Sequence, residues 1–348
     1  MIKNKKFFIF VIFTVLLSFC LTSFAIGEEI NYVIKFGYSE ADIPGSTGES
    51  FMANTFKNEV ERLSLGKVKV ITYPGSILGN NPEMVEQTQE GIIQMTGIVD
   101  AGLVAFYPAV QVLSIPYLWK THKIAYGVLD SYFTKELIDD MIEKAGLRVI
   151  TRCENGGFRC FTNSKRPIRN PDDMKGLKFR VMGSPLMLDM VKNLGASAIT
   201  MPMGEVYTSL QTGVIDGQEN APFVVRVWNV YEVQKYYTLD KHTYSTLFSV
   251  INEEFFQSLP EDIKKVVLDA GEMTTKIQRR ASRLAEEKIL AFLSSEGLEI
   301  YDPTIEELNL FENLAKEPAI KLLEGQGLKR WIDGVVEATK EVESKLGL

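Results

Sequence analysis

Histidine occurs only twice in the 348 residues, at His122 and His242, and cysteine three times, at Cys20, Cys153 and Cys160. Two histidines so far apart cannot form a His-Glu-x-x-His zinc helix, and without a Cys-x-x-Cys pair there is no redox dithiol or zinc ribbon. The chain has no Gly-x-x-x-x-Gly-Lys-Ser/Thr and no Gly-x-Gly-x-x-Gly, so the glycine-rich cradles for nucleotide phosphates are missing. No Gly-x-Ser-x-Gly elbow presents a serine nucleophile. Each histidine therefore reads as a hydrogen-bonded structural residue, and no cofactor, metal or catalytic residue is expected. Carboxylate-pair chemistry leaves no linear signature, so an enzyme of that kind survives these absences. There is no repeat of fixed period and no low-complexity tract.

Positive charge is also scarce. The 38 Lys and Arg stand against 45 Asp and Glu, a net charge of −7. Residues 1–25 hold Lys3, Lys5 and Lys6 and no acid, so their removal takes the chain to −10. A field of that sign excludes general nucleic-acid binding, and any anionic ligand must be held by a few placed cations. The apolar run from Phe7 to Leu17 is short for a bilayer span. With the basic start before it and Ser23-Phe24-Ala25 after it, it reads as a cleaved signal peptide, residues 1–25, and predicts a periplasmic protein. The bulky Phe19 before Cys20 argues against lipid attachment there. In an oxidising compartment Cys153 and Cys160 are free either to join in a disulfide or to stay two buried thiols.

The remaining length suits two α/β lobes. Tyr32–Tyr38 reads as a buried strand, Ser39–Thr47 as a loop, and Phe51, Met52, Phe56, Val60 and Leu63 as the apolar face of a helix. A strand at 67–73, a helix at 82–90, a strand at 92–95, helices at 122–129 and 134–144 and a strand at 147–151 follow. This alternation implies a mostly parallel, helix-covered sheet. Asn155-Gly156-Gly157 reads as a break and lobe crossing. Beyond it, strands at 177–181, 197–200 and 214–215 alternate with helices at 185–193 and 205–211. The last third is largely helical, with long stretches at 261–294 and 328–346.

The informative segment runs from Glu154 to Asn220. It contains Gly156-Gly157-Phe158-Arg159, then Pro171-Asp172-Asp173-Met174-Lys175-Gly176-Leu177-Lys178-Phe179-Arg180-Val181. Met203-Gly204-Glu205-Val206-Tyr207 leads to Leu210-Gln211-Thr212-Gly213, and Asp216-Gly217-Gln218-Glu219-Asn220 closes the series. Tyr231-Glu232-Val233-Gln234-Lys235-Tyr236 continues it, and Tyr73-Pro74-Gly75-Ser76-Ile77-Leu78-Gly79 precedes it. In order and spacing these motifs resemble the substrate-binding family of TRAP transporters, the DctP family, over nearly the whole chain after residue 25.

That resemblance implies the periplasmic-binding-protein type of α/β fold, two α/β lobes joined by crossing hinge strands, with long C-terminal helices. The first lobe would take residues 26–156 with 246–285, the second 157–245 with 286–348. The implied function is capture of a small organic acid, a sugar acid such as a uronate or a C4-dicarboxylate, by a monomeric receptor. Its partners would be the small-molecule carboxylate and the ion-gradient-driven TRAP permease subunits in the membrane, with no nucleic acid. The alternatives are an extracytoplasmic ligand sensor and an enzyme acting on organic acids.

Arg180 lies in an apolar strand, where a guanidinium aimed into a cleft meets a carboxylate through two parallel hydrogen bonds. The resemblance implies the same role for it, and a part in the site or its frame for Arg159. Asn220 can donate and accept at a strand end, with Ala221 standing between it and Pro222. Met203 stands where many relatives carry an aromatic on the ligand. Tyr244 is placed to reach the pocket from a crossing strand. Glu40, Asn81 and Asp100 follow predicted strands or turns at the carboxyl ends of the first lobe's strands, where open α/β sheets bind ligands.

Overall fold

The computed structural model describes residues 30–348. The expected signal peptide, residues 1–25, lies outside the described residues, as does Cys20. Strand β1 (Tyr32–Gly37) pairs in parallel with β2 (Val68–Tyr73) and with β3 (Met95–Val99). Helix α1 (Glu49–Leu63) links β1 to β2 and buries Met52, Ala53, Phe56 and Val60 against Ile34, Phe36, Val68 and Val70. Helix α2 (Asn81–Gln89) starts on an Asn80–Glu83 capping box. The strand after it begins at Met95, later than the pattern predicts. The amides of Ile92 and Ile93 both donate to the Gln87 carbonyl, closing the helix end and leaving the ladder to start beyond them.

Helices α3 (His122–Leu129) and α4 (Tyr132–Ala145) lead into β4 (Leu147–Asn163). This strand does not end at Thr151, nor break at Asn155-Gly156-Gly157. It runs 17 residues, and the two glycines form a bulge where the register slips between Glu154 and Gly157. Both have positive φ, +80° and +88°, and neither has room for a side chain. A Cβ at 156 would lie 2.7 Å from Phe223 Cβ, and one at 157 would lie 2.6 Å from His122 Cε1.

Beyond the bulge, β5 (Lys178–Val181) lies parallel to β6 (Ser197–Thr200), with helix α5 (Pro185–Asn193) between them in sequence. Helix α6 (Val206–Gln211) precedes β7 (Gly217–Asn220), which replaces the strand expected at 214–215. Val214 is half exposed, whereas all four residues of β7 are buried between β5 and β4. Helix α7 (Pro222–Val227) leads to β8 (Tyr236–Asn252), a second 17-residue strand antiparallel to β4 along its length. β3 joins β8 at Leu247–Ile251, while β7 joins β4 at Cys160–Asn163. The two strand groups thus hang on opposite ends of one β4–β8 ribbon, giving two α/β lobes on a single sheet ordered β2-β1-β3-β8-β4-β7-β5-β6. A short strand, β9 (Glu299–Tyr301), pairs with the start of β8.

Helices α8 (Glu253–Ser258), α9 (Glu261–Ser295), α10 (Ile305–Gly325) and α11 (Lys329–Leu346) form the expected helical third. The 35-residue α9 lies along β4 and serves its bulged edge. Thr275 Oγ1 accepts from the Arg152 amide, and Gln278 both accepts from the Glu154 amide and donates to the Glu154 and Thr47 carbonyls. The helix comes this close because Gly271 faces Ile150, where a Cβ would stand 2.4 Å from the Ile150 carbonyl oxygen. Gly271→Ala should therefore destabilise the protein by about 1–3 kcal/mol through overpacking, read as a lower denaturation midpoint. An unchanged midpoint would show that α9 can shift freely on β4.

Candidate functional site

A cleft of about 850 Å³ opens between the two strand groups, within the range of small-molecule sites. One wall comes from the loop after β1 and the starts of α1 and α2, the other from β5, β7 and the segment around Met203. Gly48 packs against two of the lining residues: a Cβ there would lie 2.4 Å from the Phe223 ring and 2.4 Å from Glu40 Oε2.

Arg180 lines this cleft from β5, only 4% exposed. Its Nε donates to the Met201 carbonyl at 2.9 Å, and Nη1 lies 3.9 Å from Met203 Sδ. Among the described residues no carboxylate pairs with it. Burial lowers its pKa to about 10; the charge of Glu219 offsets this in part, and that of the more weakly felt Arg159 adds to it. The group stays cationic at neutral pH and has no salt-bridge partner in the cleft.

Arg159 also lines the cleft, from β4, but it is spoken for. Its Nε and Nη2 meet Glu219 Oε2 and Oε1 at 2.5 and 2.9 Å, and Nη2 also reaches the Glu219 carbonyl at 2.7 Å. Glu219 lies 3.2 Å from His242 Nε2, whose Nδ1 is 2.8 Å from Asp240. Tyr117 donates to the same Asp240 oxygen, and Phe161 stacks on the imidazole at 4.3 Å. Burial alone would raise Glu219, but the Arg159 charge and the His242 hydrogen bond bring it down to about 2. Burial likewise opposes a charged His242, yet Asp240 and Glu219 raise it to about 9. Two cations and two carboxylates therefore cancel in a buried chain, leaving Arg180 outside it.

A pH dependence follows from His242. Its folded pKa of about 9 exceeds the usual 6.5, so its stabilisation is fully present below pH 6.5 and is lost as pH rises through 9. The melting temperature should fall between pH 7 and 9.5, and His242→Gln should flatten that fall. An equally steep fall in the variant would assign it to another group.

The cleft also gathers Asn220, Met203, Glu40 and Asn81. Asn220, 3% exposed at the end of β7, donates to Gln218 Oε1 at 2.5 Å, which leaves its own Oδ1 free to accept. Two expected contacts are elsewhere. Tyr244 is buried among Trp119, His122 and Phe158 and donates to Glu154, so its ring belongs to the core behind the hinge. Asp100 turns inward, with Oδ2 accepting from Ser114 Oγ at 2.7 Å and Oδ1 from the Ala101 amide at 2.9 Å. It braces the turn after β3 and does not line the cleft. Conversely, Glu49 lines the cleft and was missed. Its only sequence signal is its place at a helix start behind Gly48. Of the two readings open for Cys153 and Cys160, the structure shows buried free thiols, with burial pushing Cys153 up to about 12. Among the described residues no helix is long and apolar enough to cross a membrane.

The family model described as DctP, bacterial extracellular solute-binding protein, family 7, matches residues 43–324. The 2,3-diketo-L-gulonate-binding periplasmic protein YiaO of Escherichia coli is 30% identical over 280 residues, covering 80% of this chain and 84% of that protein. The sugar acid binding protein DctPAm of Advenella mimigardefordensis, solved in complex with galactonate, superposes with a TM-score of 0.83 at 32% identity. That match covers 89% of this chain and 98% of the other. A TRAP periplasmic solute binding protein from Sulfurospirillum deleyianum, with bound succinate, gives a TM-score of 0.79 at 27% identity, over 90% and 99% of the two chains.

Proposed function

The chain belongs to the DctP family of bacterial extracellular solute-binding proteins, and from that premise we propose that it captures a small organic acid in the periplasm and delivers it to TRAP-type permease subunits. One observation carries the ligand class: Arg180 is a buried cation lining a cleft, with no salt-bridge partner among the described residues. Holding a charge out of water without a partner costs several kcal/mol, and a ligand carboxylate is the partner whose binding recovers that cost. The likeness to a 2,3-diketo-L-gulonate-binding protein and to proteins solved with galactonate and with succinate supports the same reading.

Capture rather than chemistry fits the wall opposite. Burial raises Glu40 to about 7, a value suited to a general base. Yet its Oε1 accepts from Ser46 Oγ and its Oε2 from the Glu49 amide at 2.8 Å, which makes it a structural brace. A thermal-shift screen of purified protein against an organic-acid library tests the reading. A true ligand at 100 times its dissociation constant adds about 2.7 kcal/mol of stability. A library of mono- and dicarboxylates that leaves the melting temperature unmoved would refute it.

Binding should also close the lobes. The β4 bulge at Gly156–Gly157 and the facing stretch of β8 around Thr243 and Ser245 form the only two-strand section of the ribbon among the described residues, and we place the hinge there. Small-angle scattering should show a smaller radius of gyration at saturating ligand. An unchanged radius would count against closure.

A further inference from the structure

Five residues other than glycine have a positive φ among those described, and Tyr117, at +56°, is the only one of them that is buried. A bulky residue in that region is strained and persists only where its surroundings hold it. Tyr117 follows β3, in a chain segment that leaves the first strand group, yet its ring lies in the core of the second, with Phe161, Phe179 and Met187. Three bonds pin it. Its amide donates to the His242 carbonyl at 2.8 Å, its hydroxyl to Asp240 Oδ2 at 3.0 Å, and Lys316 Nζ donates to its carbonyl at 3.2 Å. The stretch of β8 it docks on is irregular too. The register with β4 slips between Arg159 and Phe161, and Lys241, exposed and with a φ of +53°, stands between Asp240 and His242. Two strained residues thus meet at one contact, and neither lines the cleft.

The contact divides the hydrogen bonds of a buried carboxylate. Asp240 Oδ1 accepts from the Phe161 amide at 3.2 Å, while Oδ2 meets both the Tyr117 hydroxyl and His242 Nδ1. The imidazole is shared with Glu219, which holds Arg159 through Nε and Nη2. Among the described residues Arg159 Nη1 has only Ser245 Oγ, at 3.4 Å. We propose that Tyr117 is a positioning residue for Arg159. By donating to Asp240 Oδ2 it limits the hold of that carboxylate on His242 and keeps the imidazole shared with Glu219. Glu219, so engaged, draws less strongly on Arg159, and Nη1 stays presented to the cleft. What Nη1 offers a ligand rests on the capture reading above; the positioning itself does not. The neighbouring groups leave His242 to titrate alone. Burial, with the Asp240 charge acting the same way, pushes up the Tyr117 hydroxyl, the Cys160 thiol and the Tyr237 hydroxyl.

The chain holds two histidines, so NMR of protein labelled with 15N-histidine reads His242 directly, with His122 assigned by His122→Gln. In Tyr117→Phe the His242 midpoint should rise from about 9 by about 0.5–1 pH unit, the worth of one net hydrogen bond. The Nε–H signal of Arg159 should move downfield as Glu219 tightens on it. Asp240→Asn keeps an acceptor for the hydroxyl and removes the charge, so the His242 midpoint should fall instead. Tyr107→Phe, which removes a hydroxyl bonded to Asp140 outside this network, should move neither signal. Melting checks that each variant is folded. Whichever of galactonate and succinate binds the wild type should bind Tyr117→Phe about two- to thirtyfold more weakly. Unmoved signals in folded Tyr117→Phe would overturn the proposal. A moved His242 with an unmoved Arg159 would confine the effect to β8 and overturn it too, as would unchanged affinity. If neither acid binds the wild type, that failure falls on the capture reading, and the two signals still decide the positioning.

Discussion

Arg180→Ala should weaken ligand binding by a hundred- to several-thousand-fold, because it leaves the ligand's carboxylate enclosed and unpaired, at a cost of about 3–5 kcal/mol. Arg180→Lys should recover only part of the loss. An ammonium lacks the planar fork that meets both carboxylate oxygens, and nothing would replace the Nε bond to the Met201 carbonyl. Stability should move the other way. The guanidinium is buried with no carboxylate beside it, so the ligand-free alanine variant should melt no lower than wild type. A loss of affinity without a loss of stability separates a ligand anchor from a structural residue. Calorimetric titration and melting of the same preparations give both quantities. If folded Arg180→Ala binds within about threefold of wild type, the anchor is elsewhere, and Arg159 becomes the candidate.

Glu219→Gln should show the complementary pattern. The change strips the shared carboxylate from Arg159 and His242, both buried, and leaves two cations side by side. Breaking such a buried pair costs about 3–5 kcal/mol of folding stability, visible as a lower denaturant midpoint at unchanged slope. Wild type itself loses the His242 contribution as pH rises through 9, whereas the variant, without the Glu219 charge that helps raise His242, loses it at lower pH, so the gap between them should narrow toward pH 9.5. A midpoint within about 1 kcal/mol of wild type would mean that the buried chain relaxes around the loss. On the proposed function, these two variants divide the motif by role: Arg180 would serve the ligand, whereas Glu219 holds the frame that sets Arg159 against the cleft.

Much of this arrangement is legible in the sequence, and the failures share a cause. Helices with an apolar stripe read well. Pro185–Asn193 has the bounds expected, and α9 differs by one residue at its end. The short parallel strand Ser197–Thr200 also matches. Apart from β3, displaced by the helix end before it, the strands that escape the sequence pattern are the ones that bury polar residues. β7 is Gly-Gln-Glu-Asn, all buried, and the middle of β8 carries Asp240, His242, Thr243, Ser245 and Thr246 inside the protein. Such segments show no alternation of apolar and polar positions, because what they satisfy is each other. The paired glycines looked like a break since positive φ usually ends a strand. Here opposed strands on one side and α9 on the other hold the chain straight through them.

The site follows the same rule. Arg180 was legible as a lone charge in an apolar strand, and Asn220 as the end of a specific motif. Asp100 and Tyr244 were misplaced because strand position alone says nothing about which way a side chain turns. Ser114 and Glu154 draw them inward, and neither partner adjoins them in sequence. Glu49 was overlooked for the converse reason. A glutamate opening a helix is ordinary, and only the fold brings it to the cleft beside Glu40.

The central claim, that this chain is a receptor and not an enzyme, is tested most directly by the heat of mixing. The best acid from the screen, titrated into wild-type protein, should give heat that saturates at one ligand per chain and returns to baseline after every injection. The ligand should be recovered unchanged. Thermal power that persists in proportion to added acid, with altered ligand in the cell, would contradict the account and make the cleft an active site.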